Sequence, residues 1–268
     1  MIKIKLLSDI HIEINPNFKI DLSGVDILCL AGDIGEEPNG INWAFSLLKD
    51  YKDLHIVYVL GNHSCYGKFN NIDKIKNKLN DILNSKTQEC FDFNDSRRFH
   101  FLENDSVLIY GIKFISSCLW TDFNNRNMND INVAWSSMND FNYIRQSTTY
   151  TKFTPYRAAT LHEKAREYIF NELNNTPKDT RCIVVTHHQP YLSSKNTELK
   201  YAYENNLDNY FENCNNPPIY WFSGHTHESE IITHKYPNGS ITFISNQLGY
   251  PNENTGFNKD FLLKIPTS

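Results

Sequence analysis

The segment that constrains the fold most is residues 220–227, where the apolar run YWFS stops at Gly224 and is followed by His225 and His227. An apolar run closed by a glycine predicts a buried strand that ends in a turn. Because alternate residues of an extended chain point to the same side, the two histidines can face one cavity. Neutral imidazole is a common ligand of transition metals, yet two histidines alone are weak evidence for a metal site. The other ligands must come from elsewhere in the chain.

Four more apolar runs end in polar side chains that can bind metals. Those ends are Asp9 and His11 after residues 2–8, Asp33 after residues 25–31, Asn62 and His63 after residues 56–60, and His187 and His188 after residues 181–186. Helical apolar spacing over residues 41–51 gives a strand–helix–strand order, in which ligands gather at the carboxyl ends of strands. Separate helix caps and surface histidines could explain each end alone. Five such ends together predict one site.

Length and composition are typical of a single soluble domain over residues 1–268. The chain is 40% hydrophobic and 13% aromatic, and it contains no evident linker. It has neither a membrane-length apolar run nor a signal-peptide pattern, so we expect a cytoplasmic protein without a membrane partner. The six cysteines are scattered, which indicates reduced core residues. A formal charge of −5 without a long basic block argues against a dedicated nucleic-acid partner.

The order of these motifs resembles that of the calcineurin-like metallophosphoesterases. The family pattern D-x-H, G-D, G-N-H, H and G-H-x-H matches, in order, Asp9 and His11, Asp33, Asn62 and His63, His187, and His225 and His227. The resemblance implies an α/β fold, a four-layer α/β/β/α sandwich of two mixed sheets flanked by helices. The segments 61–67, 119–123, 138–145 and 249–254 look more narrowly like a small, single-domain bacterial and phage subgroup.

The same resemblance implies a site with two divalent metal ions. It assigns to one ion Asp9, His11, Asp33 and His227, and to the other Asp33, Asn62, His187 and His225. Asp33 is then the bridge, since a carboxylate has two oxygens and an imidazole has one free lone pair. Manganese is the favoured metal, with iron, zinc, cobalt and nickel as alternatives. A metal-bound hydroxide is the expected nucleophile, and His63 is placed to protonate the leaving oxygen or to stabilise transition-state charge.

Two positions depart from the simplest family pattern. His188 follows the expected ligand His187, and we interpret it as a residue behind the ligand or in the pocket, with swapped roles as the alternative. Ser64 stands where many family members have an acidic residue after Gly-Asn-His. That serine removes no ligand, but it takes away a carboxylate that could orient His63 and tune its pKa.

Residues 119–153 form a long segment with little periodicity and many polar and aromatic residues. A segment of this kind is typical of a lid or substrate loop, and its aromatic content argues against disorder. In that interpretation it overhangs the metals, and Asn139 and Arg145 are candidates for contact with phosphate or leaving group. The alternative is a surface loop fixed by its aromatic side chains.

Several further elements are predicted from periodicity and turn signals. They are helices over 69–83, 154–173 and 202–211, a hairpin over 107–117, a loop over 84–96, and closing strands over 230–234, 240–245 and 261–265.

The predicted function is hydrolysis of a phosphate monoester or diester by two metal ions, with a phosphate ester as the partner molecule. One alternative is a scaffold or interaction protein that kept the fold and lost turnover, although no ligand is missing from the pattern. Within enzymes, the alternatives are a nuclease and a protein phosphatase. The acidic balance and the absence of a basic, aromatic-lined groove argue against the nuclease. The sequence carries no signal for oligomeric state.

Overall fold

A computed structural model describes residues 1–89 and 97–267 of the chain. Its first sheet has the strand order β13-β1-β2-β3-β4, with β1 to β4 parallel and β13 antiparallel to β1. The strands of this sheet are β1 (Ile2–Leu7), β2 (Ile27–Ala31), β3 (His55–Val59), β4 (Phe99–Phe101) and β13 (Leu263–Ile265).

The second sheet has the order β11-β12-β10-β9-β6-β5, with a parallel centre and an antiparallel strand at each edge. Its strands are β5 (Asp105–Ile109), β6 (Ile112–Ser117), β9 (Arg181–Thr186), β10 (Tyr220–Ser223), β11 (Ile231–Tyr236) and β12 (Gly239–Ser245). The predicted hairpin over 107–117 and the three predicted closing strands are confirmed within a few residues. Both sheets are mixed, as the sequence predicted.

Helices connect many of the strands along the chain. They are α1 (Asn39–Asp50), α2 (Ile72–Glu89), α3 (Phe123–Arg126), α4 (Met128–Ser137), α5 (Asp140–Tyr143), α6 (Pro155–Asn175), α7 (Lys200–Tyr203) and α8 (Asp208–Glu212), with a 3₁₀ turn at His63–Cys65. Helix α6 begins as its sequence predicts. Thr154 lies outside the helix and its side-chain oxygen accepts a hydrogen bond from the Arg157 backbone N–H at 3.2 Å, while Pro155 occupies the first helical position.

Three buried clusters make the protein four layers thick. Side chains of α1 pack on the outer face of the first sheet, where Leu28 and Leu30 point outward from β2. Alternate residues of the same strand, such as Cys29, point inward and join a second cluster between the two sheets. Ile169 of α6 packs with Trp221 of β10 in a third cluster on the far side. The predicted α/β/β/α sandwich is therefore confirmed.

Two predicted elements are wrong in part. Helix α2 continues to Glu89, so residues 84–89 are helical and not a loop, while residues 90–96, including Cys90, lie outside the described residues. The predicted helix over 202–211 is interrupted between α7 and α8. The Asn205 N–H donates to the Gln189 carbonyl at 2.9 Å, and the Gln189 N–H donates to the Tyr203 carbonyl at 3.3 Å. This pairing draws the chain away from the helical path, so two short helices form.

The 119–153 segment is more ordered than its lack of periodicity predicted. It contains α3, α4 and α5, and it ends in the hairpin of β7 (Arg145–Gln146) and β8 (Thr151–Lys152). All four residues of α3 have φ between 52° and 60° and so form a left-handed turn, which periodicity does not detect. Trp120, Phe123, Phe141 and Phe153 are buried in the cluster that covers the first sheet. Burial of its aromatic side chains therefore keeps this long segment structured.

Candidate metal centre

Parallel strands from the two sheets end at one place, and seven polar side chains meet there. Each of the five strand ends identified in the sequence contributes to this site. The contributors are Asp9 and His11 after β1, Asp33 after β2, Asn62 after β3, His187 after β9, and His225 and His227 after β10. Six of them are nearly or fully buried, and His227 is partly exposed. The predicted residues are thus brought together by the sheet order.

The donors fall into two groups. In the first, one ligand atom from each of Asp9, His11 and His227 lies within 4.8 Å of the others, with 3.3 Å between the two histidine Nε2 atoms. In the second, Asp33, His187 and His225 satisfy the same criterion. These groups correspond to the two ligand sets that the sequence resemblance implied.

Asn62 adds an oxygen ligand atom to the second group, and Asp33 lies between the two groups. The Asn62 Oδ1 atom lies 3.0 Å from His187 Nε2. Asp33 Oδ2 lies 3.3 Å from His187 Nε2 and 3.9 Å from His11 Nε2. One carboxylate oxygen of Asp33 therefore lies within 4 Å of a histidine from each group.

Three of the histidines are oriented by hydrogen bonds to their other ring nitrogen. The oxygen partners of Nδ1 are the Ala31 carbonyl for His187 at 3.1 Å, Glu253 Oε2 for His227 at 2.6 Å, and Glu13 Oε1 for His11 at 3.2 Å. If Nδ1 carries the proton in each ring, as these acceptors require, the Nε2 lone pair is directed at the site. Metal-binding histidines in proteins are commonly held in this way.

His225 provides the most direct test of whether the site fits a metal. Its Nε2 atom is buried and has no hydrogen-bond partner among the described residues, and its ring stacks on Tyr203 with 4.5 Å between ring centroids. Burial, reinforced by the neighbouring charges of His188 and His187, lowers the pKa of His225 well below its usual range. The ring is therefore neutral, with a buried lone pair that a metal ion would satisfy.

Glycines precede the ligands because the site leaves no room for a side chain. A Cβ atom at Gly61 would lie 2.0 Å from Asp33 Oδ1. At Gly224 it would lie 2.5 Å from Asp9 Oδ2. Real Cβ atoms do not approach other heavy atoms this closely. The glycines of the G-N-H and G-H-x-H motifs are thus required by the carboxylates of other strands.

Burial and charge act against each other at the carboxylates and histidines of the site. Burial disfavours ionisation of Asp33, but the charges of His187, His63 and His11 outweigh it, and the pKa of Asp33 falls well below its usual range. Burial likewise disfavours the charged form of His187, but the charge of Asp33 raises the pKa of His187 to about 9. Protons on histidine thus balance the buried carboxylate, and divalent ions would take the place of those protons.

His63 lies beside the two groups on the 3₁₀ turn that follows β3. Its backbone N–H donates to Asp33 Oδ1 at 2.9 Å, which ties the turn to the proposed bridge. Its ring Nε2 lies 3.3 Å from the Tyr250 hydroxyl, and the ring stacks on Tyr66 with 4.1 Å between centroids. The Ser64 hydroxyl accepts a hydrogen bond from the Gly61 N–H at 3.2 Å.

The structure adds residues to the site that sequence reasoning missed. Asp140 is buried, and its Oδ1 accepts hydrogen bonds from Asn62 Nδ2 and the Tyr66 hydroxyl, both at 2.8 Å. This contact turns the Asn62 amide so that its oxygen faces His187. Glu13 and Glu253 hold two of the histidines, as described above. Asp140 lies in the 138–145 segment singled out above, but nothing in the sequence indicates that Asp140 contacts Asn62.

A cavity of about 380 Å³ opens onto the two groups. Asn139 lines it together with Met138, so the 119–153 segment forms one of its walls. His188 is buried behind the site, where its ring lies 4.2 Å from that of His225. The Arg145 guanidinium instead donates to two carbonyl oxygens of its own segment, those of residues 142 and 144, and within the described residues it does not line the cavity. The geometry brings Asn139 to the site and gives the prediction for Arg145 no support.

Comparison with known proteins agrees with this arrangement. A family model described as calcineurin-like phosphoesterase matches residues 2–229. The chain belongs to that family. An uncharacterised protein of Acanthamoeba polyphaga mimivirus is 30% identical over 279 residues, covering 95% of this chain and 94% of that protein. The crystal structure of phosphopantetheinyl hydrolase from Mycobacterium tuberculosis has a TM-score of 0.64 at 16% identity, covering 94% and 93% of the two chains.

Family membership and the donor set together support metal-dependent hydrolysis of phosphate esters by this calcineurin-like phosphoesterase. The likeness to the mycobacterial structure concerns the fold, since the identity is low. Within the described ranges, none of the helices has the length and apolar character needed to cross a bilayer.

Proposed function

We propose that this protein hydrolyses a phosphate monoester or diester with two divalent metal ions. The observation that carries the proposal is the convergence of two donor groups on Asp33, which lies within 4 Å of a histidine from each. The buried, unpartnered nitrogen of His225 and the glycines that make room for the carboxylates support it. None of the donors expected from the family pattern is missing, which argues against an inactive scaffold.

The proposed ligand sets follow the two groups. One ion would be held by Asp9, His11, Asp33 and His227, and the other by Asp33, Asn62, His187 and His225. Manganese is our first choice of metal, with iron, zinc, cobalt or nickel as alternatives, because carboxylate, amide and imidazole ligands suit all of them. When bound, such ions lower the pKa of water so that it can attack phosphorus at neutral pH, and they balance the charge of the ester.

The chain itself would orient the reactants and supply a proton. His63 presents Nε2 to the side where Tyr250 and the cavity lie, so this atom would donate its proton to the leaving oxygen. Asp140 would keep the Asn62 oxygen directed at its ion. His188 would lie behind the ligands and support them. Its Nδ1 lies 3.2 Å from the Cys118 carbonyl oxygen, which holds the ring in that place.

The cavity favours a compact ester over a nucleic acid. Three tyrosines line it, Tyr66, Tyr203 and Tyr250, and no lysine or arginine does so in the described part of the chain. Proteins usually bind the phosphate backbone of a nucleic acid through several cationic side chains. The lining of this cavity therefore argues against the nuclease alternative. We further propose that the 119–153 segment is a substrate wall, with Asn139 in contact with the phosphate or the leaving group.

The cysteines support a cytoplasmic location. The five that the structure describes are all buried and free of disulfides. Such cysteines are typical of proteins from a reducing compartment.

The experiment is hydrolysis of para-nitrophenyl phosphate beside bis-para-nitrophenyl phosphate by metal-stripped protein reloaded with manganese. We expect metal-dependent turnover that falls by about 100-fold or more in His63→Ala, given the usual contribution of a general acid. His234→Ala, a histidine on edge strand β11, is the matched control and should keep full activity. The preferred ester decides between monoesterase and diesterase. Binding of two metals per chain without turnover of either ester would instead favour the scaffold.

A further inference from the structure

Ser64 raises the question of which group orients His63. Ser64 follows His63 directly, but its hydroxyl accepts from the Gly61 N–H at 3.2 Å. That hydrogen bond belongs to the turn and gives the His63 ring no partner. A group that orients the ring must therefore come from another element of the fold.

Glu13 lies in a position to orient the His63 ring. It follows β1 two residues after His11, and its side chain is 18% exposed. Its Oε1 atom lies 3.2 Å from His11 Nδ1 and 3.8 Å from His63 Nδ1, so one carboxylate oxygen contacts both rings. Its other oxygen, Oε2, accepts from the Glu36 N–H at 3.3 Å, which fixes the carboxylate in place.

Contacts at its two ring nitrogens set the orientation of His63. Tyr66 stacks on one face of the ring at 4.1 Å, and the edge of His11 packs against it at 4.6 Å, so these rings confine the plane of His63. The Tyr250 hydroxyl lies 3.3 Å from Nε2. Glu13 lies on the other side, with a carboxylate oxygen 3.8 Å from Nδ1, and so favours the orientation in which Nε2 faces Tyr250 and the cavity.

We propose that Glu13 is the positioning residue of His63. This inference rests on the proposed function. Glu13 holds the Nδ1–H side of the ring so that the Nε2 proton passes to the leaving oxygen as its bond to phosphorus breaks. The ring then regains a proton from solvent. We expect the 3.8 Å contact to shorten to a hydrogen bond in the substrate complex, as catalytic contacts commonly do.

A second role for Glu13, through the proposed ligand His11, must be separated from this one. Loss of the His11 contact would weaken metal binding and slow all substrates alike. Loss of the His63 contact would slow mainly those substrates whose leaving group needs a proton. The two roles therefore differ in how the defect depends on the leaving group and on metal concentration.

The test compares Glu13→Ala, Glu13→Gln and His63→Ala on phenyl phosphate and para-nitrophenyl phosphate at saturating manganese. Phenolate is the poorer leaving group, so its ester depends more on proton donation. We expect Glu13→Ala to lower kcat for phenyl phosphate by about 10- to 100-fold, the usual effect of removing a supporting contact, and for para-nitrophenyl phosphate by much less. Glu13→Gln should keep most of the rate, because its amide oxygen can still accept from Nδ1–H.

One further variant sharpens the result. Glu36→Ala removes a neighbouring carboxylate and serves as the matched control. Equal losses for both esters in Glu13→Ala, or full repair of kcat by excess manganese alone, would show that Glu13 acts only through His11.

A crystal structure of the variant tests the inference without any measurement of turnover. In a crystal structure of metal-loaded Glu13→Ala, the His63 ring should leave its contact with Tyr250, which is 3.3 Å in the intact protein. An unmoved ring would overturn the positioning role. If the wild-type protein binds two metals but cleaves neither ester, the proposed function fails, and this crystal structure still decides whether Glu13 holds His63.

Discussion

Replacement of Asp33 by asparagine is the most informative perturbation of the metal centre. Asp33 Oδ2 lies 3.3 Å from His187 Nε2 and 3.9 Å from His11 Nε2, so the proposed bridge serves both ions at once. Asparagine keeps the size of the side chain and can still accept from the His63 N–H through Oδ1. The proposed ligand sets contain two carboxylates, those of Asp9 and Asp33, and this substitution removes the one at position 33. We therefore expect both ions to be lost together.

The magnitude follows from linkage between metal binding and folding. At free metal about 100-fold above its dissociation constant, one site adds about 2.7 kcal/mol to the free energy of unfolding, and two sites add about 5 kcal/mol. For a chain of this size, about 1 kcal/mol corresponds to a change of about 2 °C in melting temperature. The wild-type protein should thus gain about 10 °C on addition of manganese, and Asp33→Asn should gain almost none.

The assay is metal content per chain after dialysis, with thermal unfolding measured with and without manganese. Asn62→Ala is the matched control, because Asn62 belongs to one proposed ligand set only and should cost one ion out of two. If Asp33→Asn retains two ions and the full thermal shift, Asp33 is not the bridge. Loss of one ion only would place Asp33 in a single set, and the division of ligands proposed here would be wrong.

Two further predictions concern buried carboxyl groups. Asp140→Ala should lower metal affinity at the Asn62 site by about 10- to 100-fold and leave the other site unchanged, which calorimetric titration with manganese can resolve. Burial raises the pKa of Glu37 from 4.5 to about 7, against the opposing hydrogen bonds from Tyr58 and the Ile41 N–H. The folded state therefore binds the extra proton, and this destabilising contribution grows as pH rises from 4.5 through 7, to about 3 kcal/mol. Denaturant unfolding of metal-free Glu37→Gln should show a smaller loss of unfolding free energy between pH 4.5 and 7 than the wild-type protein shows. Equal losses of unfolding free energy in the two proteins would contradict the reasoning.

The meeting of the polar side chains at the candidate metal centre could be predicted because they lie at the ends of apolar strands. Apolar runs define the strands, and parallel strands bring their carboxyl ends to one edge, so Asp9, Asp33 and His187 converge without any knowledge of long-range contacts. Glycine adds a second local signal, since Gly61 and Gly224 leave the room that the carboxylates occupy. Short segments alone therefore predict which side chains meet, while their division into two ligand sets stays a prediction drawn from the resemblance.

The supporting residues could not be predicted in this way. Asp140 reaches Asn62 from 78 positions further along the chain, and Glu253 reaches His227 across 26 positions. Neither contact leaves a periodic pattern or a fixed spacing in the sequence. The order of the 119–153 segment was missed for a related reason. Its helices are short and one of its turns is left-handed, so burial of its aromatic side chains against the first sheet had to be seen in the structure.

The backbone of the site adopts an unusual conformation that hydrogen bonds between its loops hold in place. Five of the proposed ligands have φ in the left-handed region, between 47° and 72°, namely Asp9, His11, Asp33, His225 and His227. Such a conformation costs a residue other than glycine about 1–2 kcal/mol, so it persists only where the surroundings enforce it. Here the Asp9 N–H donates to the Gly32 carbonyl at 3.1 Å, and the His11 N–H donates to the Asp33 carbonyl at 3.0 Å. These backbone hydrogen bonds lock the loops that carry Asp9, His11 and Asp33 to each other, so the positions of the proposed ligands depend on the packing of the strands that precede them.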